Sequence, residues 1–288
     1  INSGYTLESS PFNTFSGLAN LPVPATGRNN IYRLSNNFGH FYTASLRELE
    51  SVIKMGYIYE NVLTTASSTN TGTPVYRLRY NNGYLYTASA YERNAAIQSY
   101  AMADEGIGFY LDTSSAQIYR LTNTERTRYL YTSSVDEVMK LANTDGWLYE
   151  STLANKVTAP SPVYRFINQL NNRHFYTIDI NEASRIANKG WKYETVAFNA
   201  NTTSGKPVYR LLSFDKHFYT TDPNERDSAV SKFGYYYEGI AFYVSPTSTS
   251  KPVYRLQGGN DEFFYTASGA EKDNAVNRYG YQYEGEAF

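Results

Sequence analysis

Apolar and aromatic residues alternate with a single Arg in a short segment that occurs six times along the chain. Each copy resembles Val208-Tyr209-Arg210-Leu211, and the bulky side chains on both faces predict a strand that is buried on two sides. The Tyr residues of successive copies lie 43 to 45 residues apart. A period of this length is typical of closed or stacked repeat proteins. The segments begin at Ile31, Val75, Ile118, Val163, Val208 and Val253.

Each copy continues with a polar turn and a second β-rich run such as Phe218-Tyr219-Thr220, which together predict a hairpin. A helix is predicted next, because a Ser or Asp precedes a Glu by three residues, as in Ser268 and Glu271. In such a capping box the Glu is expected to reach back to the amide of the cap residue. Five copies place a Gly eleven or twelve residues after the cap, where it would end the helix: Gly56, Gly146, Gly190, Gly234 and Gly280.

A third strand then carries one Glu per copy, as in Tyr235-Tyr236-Tyr237-Glu238, and the run Gly239–Phe242 is predicted to form a fourth strand. The Arg of the first strand cannot remain unpaired in a core, so we expect an Arg–Glu bridge within each copy. The six Glu are Glu60, Glu105, Glu150, Glu194, Glu238 and Glu284.

These patterns predict an all-β fold with short helices. Six copies of about 45 residues suit a six-bladed, propeller-like ring. The alternative is two tandem modules of three repeats with β-trefoil-like symmetry. Residues 1–30 are expected to form an extended lead-in or linker, and 31–288 the six-repeat domain, which the alternative divides into 31–158 and 159–288.

Composition excludes several classes of function. The formal net charge is −1, with 26 basic and 27 acidic residues, so no basic surface for nucleic acid is expected. The chain has no Cys, so disulfides and thiolate metal sites are excluded. No apolar run approaches the roughly 20 residues of a membrane helix, so no membrane insertion is expected. The 30 Tyr are unusual, because Tyr both favours strands and offers a polar tip to ligands.

No sequence motif of a nucleophile, metal-dependent hydrolase or nucleotide-binding enzyme is present, so we expect no catalysis and no cofactor. The three His belong to copies that a three-fold arrangement would not bring together, which argues against a metal site. The adjacent acids Asp261 and Glu262 are interpreted as solvated loop residues.

The candidate ligand-binding positions are those that differ among the copies. One is the residue before the Tyr-containing second strand, and the other is the Asn-rich turn beside it. We predict that these side chains hydrogen-bond to a ligand, and the alternative is a half-buried aromatic wedge. The predicted positions are His40, Tyr84, Tyr129, His174, His217, Asn37, Asn82 and Asn172.

The fifth copy, with Val208–Leu211, His217–Thr221, Glu225–Asp227 and Tyr237–Phe242, resembles a bacterial repeat family of unknown function, DUF5648. The resemblance covers residues 31 to 288. It implies an exported module that is often appended to cell-wall hydrolases and frequently occurs in sets of three. A secreted or cell-surface location is therefore expected.

Two functional hypotheses follow. In the first, the protein is a lectin-like module that binds a glycan or cell-wall polysaccharide through several sites between repeats. In the second, it is an adhesin or scaffold that binds a surface protein.

Overall fold

The computed structural model describes residues 20–81, 83–144, 146–153, 160–245, 251–259 and 261–288. Asn82, residues 1–19 of the predicted lead-in and the predicted boundary at 158/159 lie outside these residues. The chain divides into two compact units, 1–156 and 157–288. Within the described parts, no helix is both long enough and apolar enough to cross a membrane.

Every repeat has the order strand, strand, helix, strand. The first unit contains β1 (Arg28–Asn36), β2 (Gly39–Thr43), α1 (Leu46–Lys54), β3 (Ile58–Ser67), β4 (Thr73–Tyr80), β5 (Gly83–Thr87), α2 (Ala90–Tyr100), β6 (Ala103–Leu111), β7 (Ile118–Thr122), β8 (Tyr129–Thr132), α3 (Val135–Thr144) and β9 (Leu148–Leu153). The second unit contains β10 (Ser161–Asn168), β11 (Arg173–Thr177), α4 (Ile180–Asn188), β12 (Lys192–Ala200), β13 (Lys206–Ser213), β14 (Lys216–Thr220), α5 (Pro223–Phe233), β15 (Tyr236–Val244), β16 (Tyr254–Gln257), β17 (Phe263–Thr266), α6 (Gly269–Tyr279) and β18 (Gln282–Glu286).

The three strands of each repeat form a separate antiparallel sheet, with the first strand in the centre and the second and third at the edges. The predicted fourth strand is wrong. Residues Gly239–Phe242 continue β15 and pair with the same central strand, β13, as the rest of β15. The strand continues because a β-bulge absorbs the extra residue instead of ending the pairing.

The bulge falls on the Glu of the third strand. In the fifth repeat Arg210 pairs with Gly239 and Leu211 pairs with Tyr237, so Glu238 has no partner in the ladder. The same shift leaves Glu60, Glu150, Glu194 and Glu284 out of register in their repeats. A bulge changes the direction of a side chain, and here it turns the Glu toward the Arg of the central strand.

A ring of three Tyr closes the first unit. The second strand is an edge strand, so its outward backbone groups need partners from outside the sheet. The hydroxyl of Tyr86 donates to the carbonyl of Tyr42 and accepts from the amide of Tyr42, both at 2.9 Å. Tyr131 makes the same pair of bonds to the backbone of Tyr86, and Tyr42 makes them to Tyr131. The three rings are buried and meet edge to face, with centroids 5.2 to 5.5 Å apart.

The second unit repeats this ring with Tyr176, Tyr219 and Tyr265. In both units the hydrogen bonds close after three repeats. The all-β prediction with six repeats and short helices is confirmed. Among the described residues no closed propeller of six blades is seen, because each Tyr hydroxyl is already used within its own group of three.

Helix N-termini follow the predicted caps but not the predicted capping box. Ser45 accepts a hydrogen bond from the amide of Glu48, and the equivalent Ser or Asp caps each of the other five helices. The amide of the cap residue, however, donates to a Thr hydroxyl of the second strand, as Ser45 does to Thr43 at 3.0 Å. The Thr therefore replaces the Glu as partner of the cap and leaves that Glu free for another role.

The helices end where the Gly residues predict, and all five Gly have positive φ. The second repeat has Ala101 instead, at φ 51° and ψ 32°. This left-handed conformation strains a residue that has a Cβ.

We expect Ala101→Gly to raise the free energy of unfolding by about 0.5–1 kcal/mol, because relief of strain exceeds the added entropy of the unfolded chain. Urea unfolding measures the change. Gly234→Ala is the matched reverse variant: it occupies the same cap with open space around it, and should destabilise. Two changes of the same sign would contradict the interpretation.

Candidate functional site

All six predicted Arg–Glu pairs within repeats are confirmed. The Arg Nε lies 2.5 to 2.9 Å from a carboxylate oxygen of the Glu on the bulge. The Arg side chains are largely buried, and that of Arg165 is 6% exposed. The pairs join the central and third strands of each sheet.

Each Arg also binds a second Glu, the one that lies three residues after the helix cap in a neighbouring repeat. The sequence analysis did not predict these pairs. Arg33 holds Glu137 with its two terminal nitrogens, at 2.8 and 3.0 Å. Arg165 holds Glu271 in the same way, at 3.0 and 2.7 Å. The remaining pairs are Arg77 with Glu48, Arg120 with Glu92, Arg210 with Glu182 and Arg255 with Glu225. Like the Tyr ring, this Arg–Glu network closes after three repeats.

The pKa values of these carboxyl groups reflect the network. Burial alone would raise the pKa of Glu60, but contacts with His40 and Arg33 outweigh burial and lower this pKa to about 2. Burial would likewise raise the pKa of Glu137, but a hydrogen bond from Arg33 outweighs burial, and this pKa is lowered. Glu60 and Glu137 are therefore ionised at neutral pH.

Four of the five predicted ligand-binding residues before the second strand pack against a neighbouring repeat. The ring centroid of Tyr84 lies 5.0 Å from that of Phe41. The corresponding distances are 5.0 Å between His174 and Phe264 and 4.8 Å between His217 and Phe175. Tyr129 packs against the apolar cluster of the second repeat, and His40 stacks on Tyr42. These contacts fit the aromatic wedge that was the alternative interpretation.

The three His share a second feature. The Nε2 atoms of His40, His174 and His217 lie 3.4 to 3.5 Å from the bulge Glu of the same repeat. Their Nδ1 atoms are buried without a hydrogen-bond partner. No group of three metal-ligating side chains is found among the residues that the structure describes.

The predicted turn residues Asn37 and Asn172 are exposed, and Asn172 has φ 59°. Of the described candidates, the structure brings together His174 and Asn172, which line one cleft in the second unit.

This cleft, of about 760 Å³, lies between the fourth and sixth repeats. Its charged groups include Arg165, Glu194 and Glu271 of the network, and its lining includes Tyr279, a residue that is 74% exposed. The other lining residues are Ile167, Asn171, Asn172, His174, Gly259, Glu262, Phe264, Asn274, Ala275, Arg278 and Tyr281. A smaller cleft in the first unit, of about 450 Å³, lies over Arg77 and Glu48, which already pair with each other.

Comparison with known families agrees with the repeat pattern. The family described as Domain of unknown function (DUF5648) matches residues 1–111, 30–157 and 162–288. The chain belongs to the DUF5648 family. No curated protein matches it, and no solved structure does. Two of the three matched regions each span three repeats of this DUF5648 protein.

One cleft residue of the DUF5648 protein corrects the sequence analysis. Glu262 was interpreted as solvated, but it is 4% exposed. It packs beside Gly258, where a Cβ would come within 2.8 Å of the Glu262 Cγ, and it accepts a hydrogen bond from the hydroxyl of Tyr281. Burial, and then the Glu262 carboxylate, raise the pKa of Tyr281 well above its usual range, so the hydroxyl stays protonated and donates.

Sequence reasoning also missed other residues that line the cleft with His174. Asn274, Arg278 and Tyr279 belong to α6, and their helical positions have counterparts in the other repeats. A signal for Glu262 was available, because it alone is acidic at its position in the repeat. The equivalent residues are Gly39, Gly83, Arg128, Arg173 and Lys216.

Proposed function

We propose that the protein is a non-catalytic glycan- or cell-wall-binding protein of two tandem three-repeat modules, secreted or displayed at the cell surface. The saccharide site of the second module is the cleft between the fourth and sixth repeats. A cleft of about 760 Å³ falls in the size range of small-molecule sites.

The observation that carries the proposal is the combination of Tyr279 with planar polar groups in one cleft. Tyr279, the last residue of α6, is 74% exposed, so an apolar surface faces solvent beside hydrogen-bonding groups. The polar groups include the amides of Asn171, Asn172 and Asn274 and the guanidinium of Arg278. A sugar ring has an apolar face and a rim of hydroxyls, and this combination matches both.

The Arg–Glu network supplies a rigid floor for such a site. Arg165 lies over the ring of Phe264 at 4.8 Å and binds Glu194 and Glu271 on either side. Because these charges are already paired, they orient the cleft without needing a charged ligand. Sites held by such supporting contacts lose little freedom when a ligand binds.

Binding is tested by glycan-array screening followed by titration calorimetry with the glycans that score. Tyr279→Ala is expected to weaken binding about tenfold, equivalent to about 1.4 kcal/mol, through loss of ring contact. Phe233→Ala is the matched control, because Phe233 is the last residue of α5, is 71% exposed and does not line the cleft.

Three results would contradict the proposal. One is the absence of binding to any glycan or wall preparation. The second is an equal loss of affinity in the Tyr279 and Phe233 variants, which would place the contact elsewhere. The third is release of reducing ends during the titration, which would show hydrolysis by the cleft rather than binding alone.

A second candidate function is binding of a surface protein, which the hairpin turns favour. Phe214 is 98% exposed and Leu170 is 97% exposed, and both lie at turns between the first and second strands of their repeats. Exposed apolar groups of this kind often mark protein contacts. Binding to intact target cells that survives enzymatic removal of glycans and is lost in Phe214→Ser would favour this candidate over the first.

A further inference from the structure

Glu262 breaks the three-fold symmetry of the second unit. The equivalent residues of the fourth and fifth repeats are Arg173 and Lys216, so a negative charge replaces a positive one at the sixth repeat. Glu262 lines the cleft, and 4% of its surface is exposed. Among these three equivalent residues of the second unit, Glu262 alone is acidic and it alone is buried.

The carboxylate of Glu262 is only half satisfied. Its Oε1 accepts from the Tyr281 hydroxyl, whereas its Oε2 is buried without a hydrogen-bond partner. Among the described residues the nearest basic atom is the Nδ1 of His174, which lies 3.7 Å from Oε2 and therefore beyond hydrogen-bond distance. A buried charge in this state is costly, so a partner for Oε2 would be bound strongly.

The other two carboxylates of the cleft differ from Glu262 in this respect. Glu194 and Glu271 both bind the guanidinium of Arg165, with distances of 2.8 and 2.7 Å. Among the described lining residues the cations Arg165 and Arg278 face three carboxylates, so one negative charge is in excess when His174 is neutral. One ligand cation would balance the cleft.

We infer that the cleft binds a ligand through a protonated primary amine, which donates to the Oε2 of Glu262. The inference rests on the proposed function in one respect, namely that the amine is carried by a saccharide, which makes the ligand an amino sugar. An ammonium group is preferred to a hydroxyl because it also neutralises the excess negative charge, whereas a hydroxyl donates a hydrogen bond but leaves that charge uncompensated.

The test compares three probes by calorimetry: a glucosamine tetrasaccharide, its fully N-acetylated counterpart, and propylamine. The buffer keeps the amine protonated. We expect the glucosamine tetrasaccharide to bind most tightly. Glu262→Gln should weaken its binding about ten- to a hundredfold and change binding of the acetylated form by less than about twofold. Arg128→Gln, at the equivalent exposed position of the first unit, is the matched control and should change neither.

The outcomes separate the inference from the proposed function. Equal binding of the amine and acetylated saccharides, unaffected by Glu262→Gln, supports a glycan site and overturns the amine inference. Binding of propylamine alone, lost in Glu262→Gln, supports the inference and overturns the saccharide. Failure of all three probes overturns both.

A second measurement distinguishes binding from a purely structural role of Glu262. Because the unpaired charge is costly in the ligand-free protein, Glu262→Gln should unfold at the same or a higher urea concentration than the wild type. A lower midpoint without ligand would mean that Glu262 stabilises the fold through Tyr281, and would overturn the inference.

Discussion

Tyr86→Phe is expected to lower the free energy of unfolding of the first unit by about 2–5 kcal/mol. The substitution removes one oxygen atom and leaves the ring in place. It deprives both the amide and the carbonyl of Tyr42 of their partner in a fully buried position. An unsatisfied buried backbone group costs about 1–3 kcal/mol, and two groups are affected at once. A loss of this size is a large fraction of the stability of most domains.

Urea unfolding followed by circular dichroism measures the effect. Because the chain has two compact units, Tyr219→Phe serves to assign the transitions, since it should shift the transition of the second unit instead. Tyr91→Phe is the control for the chemical change itself, because Tyr91 is 84% exposed and its hydroxyl is solvated. A loss below about 0.5 kcal/mol in Tyr86→Phe would show that water or rearrangement replaces the hydroxyl.

Arg33→Met is expected to destabilise the first unit by about 3–5 kcal/mol at neutral pH. Met fills much of the same volume but leaves Glu60 and Glu137 without their shared cation. Removing one partner of a buried ion pair is costly because the remaining charge stays buried.

This loss should shrink in acid. The pKa of Glu60 is lowered to about 2 in the folded protein from an ordinary value near 4.5, so its stabilising effect is fully present above pH 4.5 and disappears as pH falls toward 2. In the variant the two carboxyl groups protonate at higher pH. Unfolding curves at pH 7, 5 and 3 should therefore converge with those of the wild type, and a constant difference would contradict the electrostatic explanation.

Much of one repeat could be predicted from sequence because its interactions are local or occur at fixed spacing. The hairpin, the caps and the Arg–Glu bridge join residues within about 30 positions, and the structure confirms them. The prediction of a fourth strand was wrong for a local reason. Alternation of side chains does not distinguish a new strand from one that continues through a bulge.

The closure of the fold could not be predicted, because six equal repeats have the same period in one ring or in two groups of three. Contacts between residues far apart in the sequence distinguish the two arrangements, such as the hydrogen bond from the hydroxyl of Tyr42 to the carbonyl of Tyr131. The role of the Glu three residues after each helix cap was ambiguous in the same way. Its position fits both a capping box and an ion pair, and the Thr hydroxyl beside the cap decides between them.

The candidate site was predicted only in part. His174 and Asn172 were expected to bind a ligand and do share a cleft, but Glu262 was placed in solvent. A short polar loop gives no periodic signal of burial. The depth of Glu262 depends on the missing side chain of Gly258 and on Tyr281, which lies 19 residues away.

The Tyr ring has a consequence for how such chains can change in length. The bond that completes it in the first unit joins residues 89 positions apart, and each hydroxyl serves the backbone of another repeat. Loss or gain of a single repeat would leave one edge strand without its hydroxyl and one hydroxyl without its strand. Genes for these proteins should therefore lengthen and shorten by whole triplets of repeats, and during synthesis no unit can reach its final fold before its third repeat has left the ribosome.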